Sequence, residues 1–201
     1  MRKKVGRKTF AASEDLLGRL SEIAESRGLS LYSLINQVFT LAIRAEELNV
    51  NLEKTVDEYD VLEKAKDSGY ILVPEGLWRE IVEEIHLRDE PWASRKGFEA
   101  GEWLAKRCAS RGLRDPLGAF LFNLRRFLWN IPEFNVKIDD KTVSIRLVSP
   151  RLSKSHASLT GSMLEGALHA FGYAVTSRDF TAGAVRLLAE KGKGGDKANV
   201  E

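Results

Sequence analysis

An α+β fold is predicted by three observations on this 201-residue chain. Apolar residues recur at helical spacing through most of its first two thirds, the period changes to two after Pro132, and the opening is a short alternating stretch followed by two capped helical patterns. Hydrophobic content of 43% and charged content of 30% describe a folded globular chain. At this length one large or two small domains are expected.

The opening alternates from Arg7 to Ala12, with Phe10 on the inward side and Arg7, Thr9 and Ala11 on the other. Ser13 offers an N-cap hydroxyl, and Glu14 and Asp15 occupy the first turn, where the helix dipole favours acids. Leu16, Leu17, Leu20, Ile23 and Ala24 form one face, and Gly28 ends that helix. Ser30 caps a second helix carried by Leu34, Ile35, Val38, Phe39, Ala42 and Ile43. So apolar a helix cannot be enclosed within a two-helix unit, which implies two copies with their strands paired.

From Leu52 to Ala65 the apolar seam is narrow, as in a linker helix. A strand is expected at Tyr70 to Val73, then a helix behind Pro74 with Leu77, Trp78, Ile81, Val82 and Ile85 on its face. Asp89-Glu-Pro91 reads as a turn, Phe98 to Cys108 as a helix closed by Gly112, and Leu117 to Ile131 as a helix ended by Pro132. Phe134, Val136 and Ile138, a turn at Asp139-Asp-Lys141, and Val143, Ile145 and Leu147 predict a hairpin. A helix from about Ser155 to Phe171 and a second hairpin turning at Thr181-Ala-Gly183 follow. The expected organisation is residues 1–48 as a DNA-binding domain, 49–69 as a helical linker, 70–190 as an α+β sensor or assembly domain of helices packed on an antiparallel sheet of hairpins, and 191–201 as a flexible tail.

The net charge of +2 names no partner, but its distribution does. Arg2, Lys3, Lys4, Arg7 and Lys8 precede any acid, whereas Glu53 to Asp67 holds six acids against three lysines. The single cysteine, Cys108, excludes an intrachain disulfide framework and suits a reducing cytoplasm. No apolar run is long enough to span a bilayer, so no membrane partner is expected.

On Arg7-Lys-Thr-Phe-Ala-Ala-Ser13, the Leu16/Leu20/Ile23/Ala24 face, Gly28-Leu-Ser30 and the apolar second helix, the first quarter of the chain resembles the ribbon-helix-helix family of DNA-binding proteins. The resemblance implies a homodimer whose paired strands lie in the major groove of double-stranded DNA. It would turn Arg7, Thr9 and Ala11 toward the bases, with Arg7 suited to guanine and Thr9 to a hydrogen bond or a thymine methyl. Ala11 departs from the family in lacking a polar group. Ser30, Leu31 and Tyr32 at the second helix's start would meet phosphate, and Arg2, Lys3 and Lys4 would add salt-sensitive affinity.

On Gly97-Phe-Glu-Ala-Gly101, Val143 to Val148, Gly161-Ser-Met-Leu-Glu-Gly166 and Tyr173 to Arg178, residues 70–190 resemble the 4-vinyl-reductase-like domain, whose fold is shared with nitric-oxide-signalling and Golgi-transport proteins. That likeness implies sensing of small, often apolar molecules, or a dimerising scaffold. The family's cysteines are missing, with His156 or Ala157 about where one would fall, which argues against thiol chemistry.

Trp103, Phe122, Trp129 and His156 are the candidates for an apolar ligand pocket, against the alternative that aromatic residues at helical spacing are core. The histidines lack metal-ligand spacing, and no P-loop, GxGxxG or nucleophile elbow occurs, so no metal, cofactor or catalytic residue is expected. The expectation is a cytoplasmic, non-enzymatic transcription regulator. It would bind DNA as a homodimer or higher oligomer and be controlled or assembled by a C-terminal domain that takes an apolar small-molecule effector. The alternatives are an architectural or partition protein whose C-terminal domain only oligomerises, and a small-molecule enzyme dimerised by its N-terminal module.

Overall fold

The computed structural model describes residues 9–192. Among them are seven helices and a four-stranded antiparallel sheet, with six helices ahead of the first strand. The chain divides into two compact units, Met1–Tyr59 and Asp60–Glu201, and the division falls within the third helix.

Unit 1 contains α1 (Glu14–Ser26), α2 (Leu31–Glu47) and the start of α3 (Leu52–Asp67). Each begins on a side chain that accepts an otherwise unpartnered amide. Ser13 Oγ takes the Leu16 N–H at 3.4 Å, Ser30 Oγ the Ser33 N–H at 3.1 Å, and Asn51 Oδ1 the Lys54 N–H at 2.9 Å. Both α1 and α2 end in the two-bond motif that turns the chain through a left-handed residue. At α1, Gly28 (φ 65°) donates to the Glu25 carbonyl and Leu29 to that of Ala24; at α2, Asn49 (φ 54°) and Val50 repeat this onto Glu46 and Ala45. Asparagine is the residue other than glycine that visits this region most readily.

Residues 9–12 form no strand within one chain. Arg2, Lys3, Lys4 and Arg7 lie outside the described residues.

Unit 2 continues with α4 (Glu75–Arg88), α5 (Glu90–Ala109), α6 (Pro116–Phe127), β1 (Glu133–Ile138), β2 (Thr142–Val148), α7 (Lys154–Ala170), β3 (Tyr173–Thr181) and β4 (Ala184–Lys191). The strand order is β1-β2-β4-β3, so the two hairpins join through β2 and β4, with Ile145 opposite Leu187 and Val143 opposite Ala189. Alternate residues of these strands, Val143, Ile145, Leu147, Val185, Leu187 and Ala189, are buried, as period two requires of a sheet covered on one face.

The covering helix is α7, which packs on the sheet and also against α5. It buries residues around most of its circumference, including Ala157, Gly161, Leu164, Ala167 and Leu168, as a central helix must. The α5–α7 approach depends on missing side chains. A Cβ at Gly101 would fall on the Met163 carbonyl, and one at Gly166 on the Phe98 carbonyl. The two glycine motifs therefore face each other, one helix backbone against the other.

Several sequence expectations give way here. Tyr70 to Val73 is not a strand: Ile71 and Leu72 are 82% and 71% exposed, and their backbones find no sheet edge to join. Asp89 alone separates α4 from α5; its side chain accepts the Trp92 N–H at 2.9 Å, and Pro91 sits in the first helical turn, where its missing donor costs nothing. The helix through Leu124 stops at Phe127 rather than at Pro132, and Ile131 is buried from an irregular segment instead. Lys191, placed in the tail by the sequence reading, closes β4 opposite Tyr173.

Candidate functional site

Unit 1 carries the residues expected at DNA. Thr9 and Ala11 are exposed, and between them the Phe10 ring meets the Phe39 ring edge-on at a centroid distance of 5.3 Å. Phe10 thus lies toward α2. Ser30 is spent on capping Ser33, so it would reach a phosphate only by exchanging that bond, while Tyr32 is exposed at the start of α2. The first turn of α2 has no acidic residue, whereas that of α1 has Glu14 and Asp15. Of the two helix starts, α2's is thus the one electrostatically open to an anion.

Of the four aromatic and histidine candidates of unit 2, three are exposed and one is half-buried. Trp103, Phe122 and Trp129 are each more than half exposed; the Arg107 guanidinium lies 5.3 Å from the Trp103 ring centre and that of Arg126 5.5 Å from the Phe122 ring centre. Cation–π contact of this kind holds an exposed ring against its own helix. His156 is half-buried on α7, 6.4 Å from the Trp78 ring of α4.

Around His156 is a polar cluster joining α4 to α7. The Ser155 hydroxyl donates to Glu83 Oε2 at 2.7 Å. Hydrogen bonds from Ser153 and Ser155 hold the Glu83 carboxyl below its usual range. Burial pushes the His156 imidazole down, opposed by Glu83 and Glu75 and reinforced by Arg79. A serine bonded to a carboxylate rather than to the imidazole is not a nucleophile–base pair, and the cluster reads as packing glue.

A small crevice of unit 2 lies elsewhere. It is between α5 and α6 with Tyr70 alongside, and its volume of about 30 Å³ is room for about one water. None of Trp103, Phe122, Trp129 and His156 lines it. Its residues on α5 and beyond are Leu104, Arg107, Cys108 and Arg111; on α6 they are Phe120, Asn123, Leu124 and Phe127. The sequence pattern alone does not single out Arg107, Arg111 and Asn123. The signal was present, since both sets follow the same i, i+3, i+4, i+7 spacing, but nothing local says that two stripes share one space.

Burial raises the Tyr70 phenol to about 12. It also raises the Cys108 thiol, against the opposing charge of Arg111, and the thiol donates to the Pro116 carbonyl at 3.6 Å. A thiol held protonated is a poor nucleophile, so Cys108 is ill suited to covalent chemistry here.

Comparison with family models, curated proteins and solved structures found no match. Among the described residues no helix is long and apolar enough to cross a membrane.

Proposed function

We propose that this chain is a sequence-specific DNA-binding transcription regulator, dimeric through a ribbon-helix-helix module in unit 1 and governed by unit 2. The observation that carries the reading is the Phe10–Phe39 contact together with what it leaves uncovered. Phe10 leans on α2, and by alternation Thr9 and Ala11 take the opposite side. Val38, Phe39, Leu41 and Ile43 of α2 are 44–60% exposed in one chain, an apolar surface that a second copy of the module would cover. Pairing of two such modules would form the ribbon, with Arg7, Thr9 and Ala11 facing the major groove and the starts of both α2 helices near phosphates.

Two base-reading side chains per copy give little discrimination, so useful specificity requires two or more paired modules on one site. Unit 2 would set their spacing, and an effector would regulate only by favouring one arrangement over another.

Gel-shift titration at one salt concentration tests the reading face. Arg7→Ala and Thr9→Ala are each expected to weaken specific binding by about 1–3 kcal/mol, that is about fivefold to 150-fold. Undiminished affinity in both variants would remove the assignment.

A further inference from the structure

Residues 107–130 carry five arginines, no lysine and a single acid, in a chain whose net charge is only +2. The acid, Asp115, is spent on capping α6, where its side chain accepts the Gly118 N–H at 2.8 Å. Arg111, Arg114 and Arg125 are exposed and have no carboxylate partner among the described residues. The other two are engaged: Arg107 donates to the Asp67 carbonyl, and Arg126 lies 3.9 Å from Asp60. Open aromatic rings accompany these charges. On α5, Trp103 is followed four residues later by Arg107, and on α6, Phe122 is followed four residues later by Arg126. In each pair the guanidinium lies over the ring, and each ring is more than half exposed. Trp129, 67% exposed, stands two residues beyond the end of α6.

A merely solvated face has no use for the rings, and an apolar docking partner would strip water from the arginines with nothing in return. Isologous contact with a second copy would set the same arginines against one another, a repulsion that interfaces avoid. A partner offering both anions and flat π faces meets the two halves together. Unpaired nucleotides do so: their phosphates answer the guanidinium charge, and every base has a face that stacks on an exposed ring. In a duplex those faces are already stacked on neighbouring bases, and the rings would go unused. We propose that the outer surface of α5 and α6 binds single-stranded nucleic acid. Bases stack on Trp129, Phe122 and Trp103, and phosphates meet Arg111, Arg114 and Arg125. The use of arginine throughout this stretch fits, because a guanidinium both forks onto a phosphate and stacks on a ring, whereas an ammonium is a point charge. The site lies in unit 2 and does not rest on the duplex-reading face assigned to unit 1.

The test uses the full chain and a fluorescent oligothymidylate of about 12 nucleotides, followed by anisotropy at several salt concentrations. The chain is expected to bind it, and to bind an abasic oligomer of the same length at least about tenfold more weakly. Trp129→Ala, at an exposed position outside any helix, is expected to weaken oligothymidylate binding about fivefold to 150-fold and to leave duplex binding in gel shifts unchanged. Arg125→Gln is expected to reduce the salt slope for oligothymidylate by about 0.7, one single-strand phosphate contact. Thr9→Ala is expected to weaken duplex binding alone, so the two surfaces fail separately. Circular dichroism checks that the variants keep their helices. Absence of oligothymidylate binding at about 100 μM protein overturns the proposal. So does equal affinity for the abasic oligomer, unchanged affinity in Trp129→Ala, or an unchanged salt slope in Arg125→Gln. Self-association that disappears in Trp129→Ala, with no oligothymidylate bound by the parent chain, would overturn it in favour of a second copy.

Discussion

The two units obey the same local rules and reach opposite degrees of completion. In unit 1 the described residues with buried apolar side chains are Ala24, Leu34 and Ala45, while Leu16, Phe39, Leu41 and Ile43 stay open. In unit 2 the core is continuous: Leu124 and Leu164 on helices pack with Ile145, Leu147 and Val185 on strands, all at most 1% exposed. Helices with side-chain caps occur in both, and the one without, α4, is in unit 2, so helix quality is not what leaves unit 1 open. The difference lies in what each helix face is offered within its own chain. Unit 2 gives α7 a sheet on one side and α5 on the other; unit 1 gives α2 little beyond α1. An unfilled face on well-formed helices is what the proposed pairing with a second copy would cover.

The comparison breaks most sharply at the α5–α7 crossing. Gly101→Val puts branched carbons where the Met163 carbonyl lies, a backbone atom that no rotamer change can move. Unit 2 is expected to lose about 3 kcal/mol or more, or to fail to fold, with unit 1 unaffected as a local structure. Urea denaturation followed by tryptophan fluorescence isolates this effect, because all four tryptophans belong to unit 2.

A smaller and opposite test lies in unit 1. Ser30→Ala removes the acceptor for the Ser33 amide at the start of α2 and is expected to cost about 1 kcal/mol. Loss of a cap should lower the unit 1 helical signal and leave the tryptophan transition where it was. A shift of both transitions together would mean the units are not separate in stability.

The smallest effect concerns acid. The His156 imidazole is held below its ordinary value of 6.5 by burial, so below that pH the unfolded chain takes up a proton that the folded unit refuses. Unit 2 is therefore expected to lose stability as pH falls from about 6.5 through the lowered folded value, and His156→Gln to flatten that slope. Glu83, whose carboxyl is also held low, adds a loss of the same sign further into acid, and it survives in the variant. Midpoints from urea titrations at several pH values separate the two.

What could be read from the chain follows from which forces are local. Ser13 and Ser30 as caps, Gly28 as a terminator, and both hairpins with their turns at Asp139-Asp-Lys141 and Thr181-Ala-Gly183 depend on neighbours within a few residues, and each is where its pattern places it. Tyr70 to Val73 has strand-like residues but no edge to pair with, a fact that lies far off in sequence. Ile131 kept the apolar rhythm of α6 after the helix had stopped, because burial continued when hydrogen bonding did not. The exposure of Trp103, Phe122 and Trp129 was not legible for the same reason. Spacing says which side of a helix a tryptophan is on, and only the fold says what that side meets. Arg107, Arg111 and Asn123 were legible as members of two stripes; that the stripes border one narrow crevice was not.

The central claim, that unit 1 completes its core with a second copy, is tested most directly by unfolding the full chain in urea at two protein concentrations about a hundredfold apart. Far-ultraviolet circular dichroism follows the helices of both units, and tryptophan fluorescence follows unit 2 alone. The account predicts that the part of the helical transition without a fluorescence counterpart moves to higher urea at the higher concentration, by the equivalent of about 2.7 kcal/mol. Helical and fluorescence transitions that both ignore concentration would contradict it.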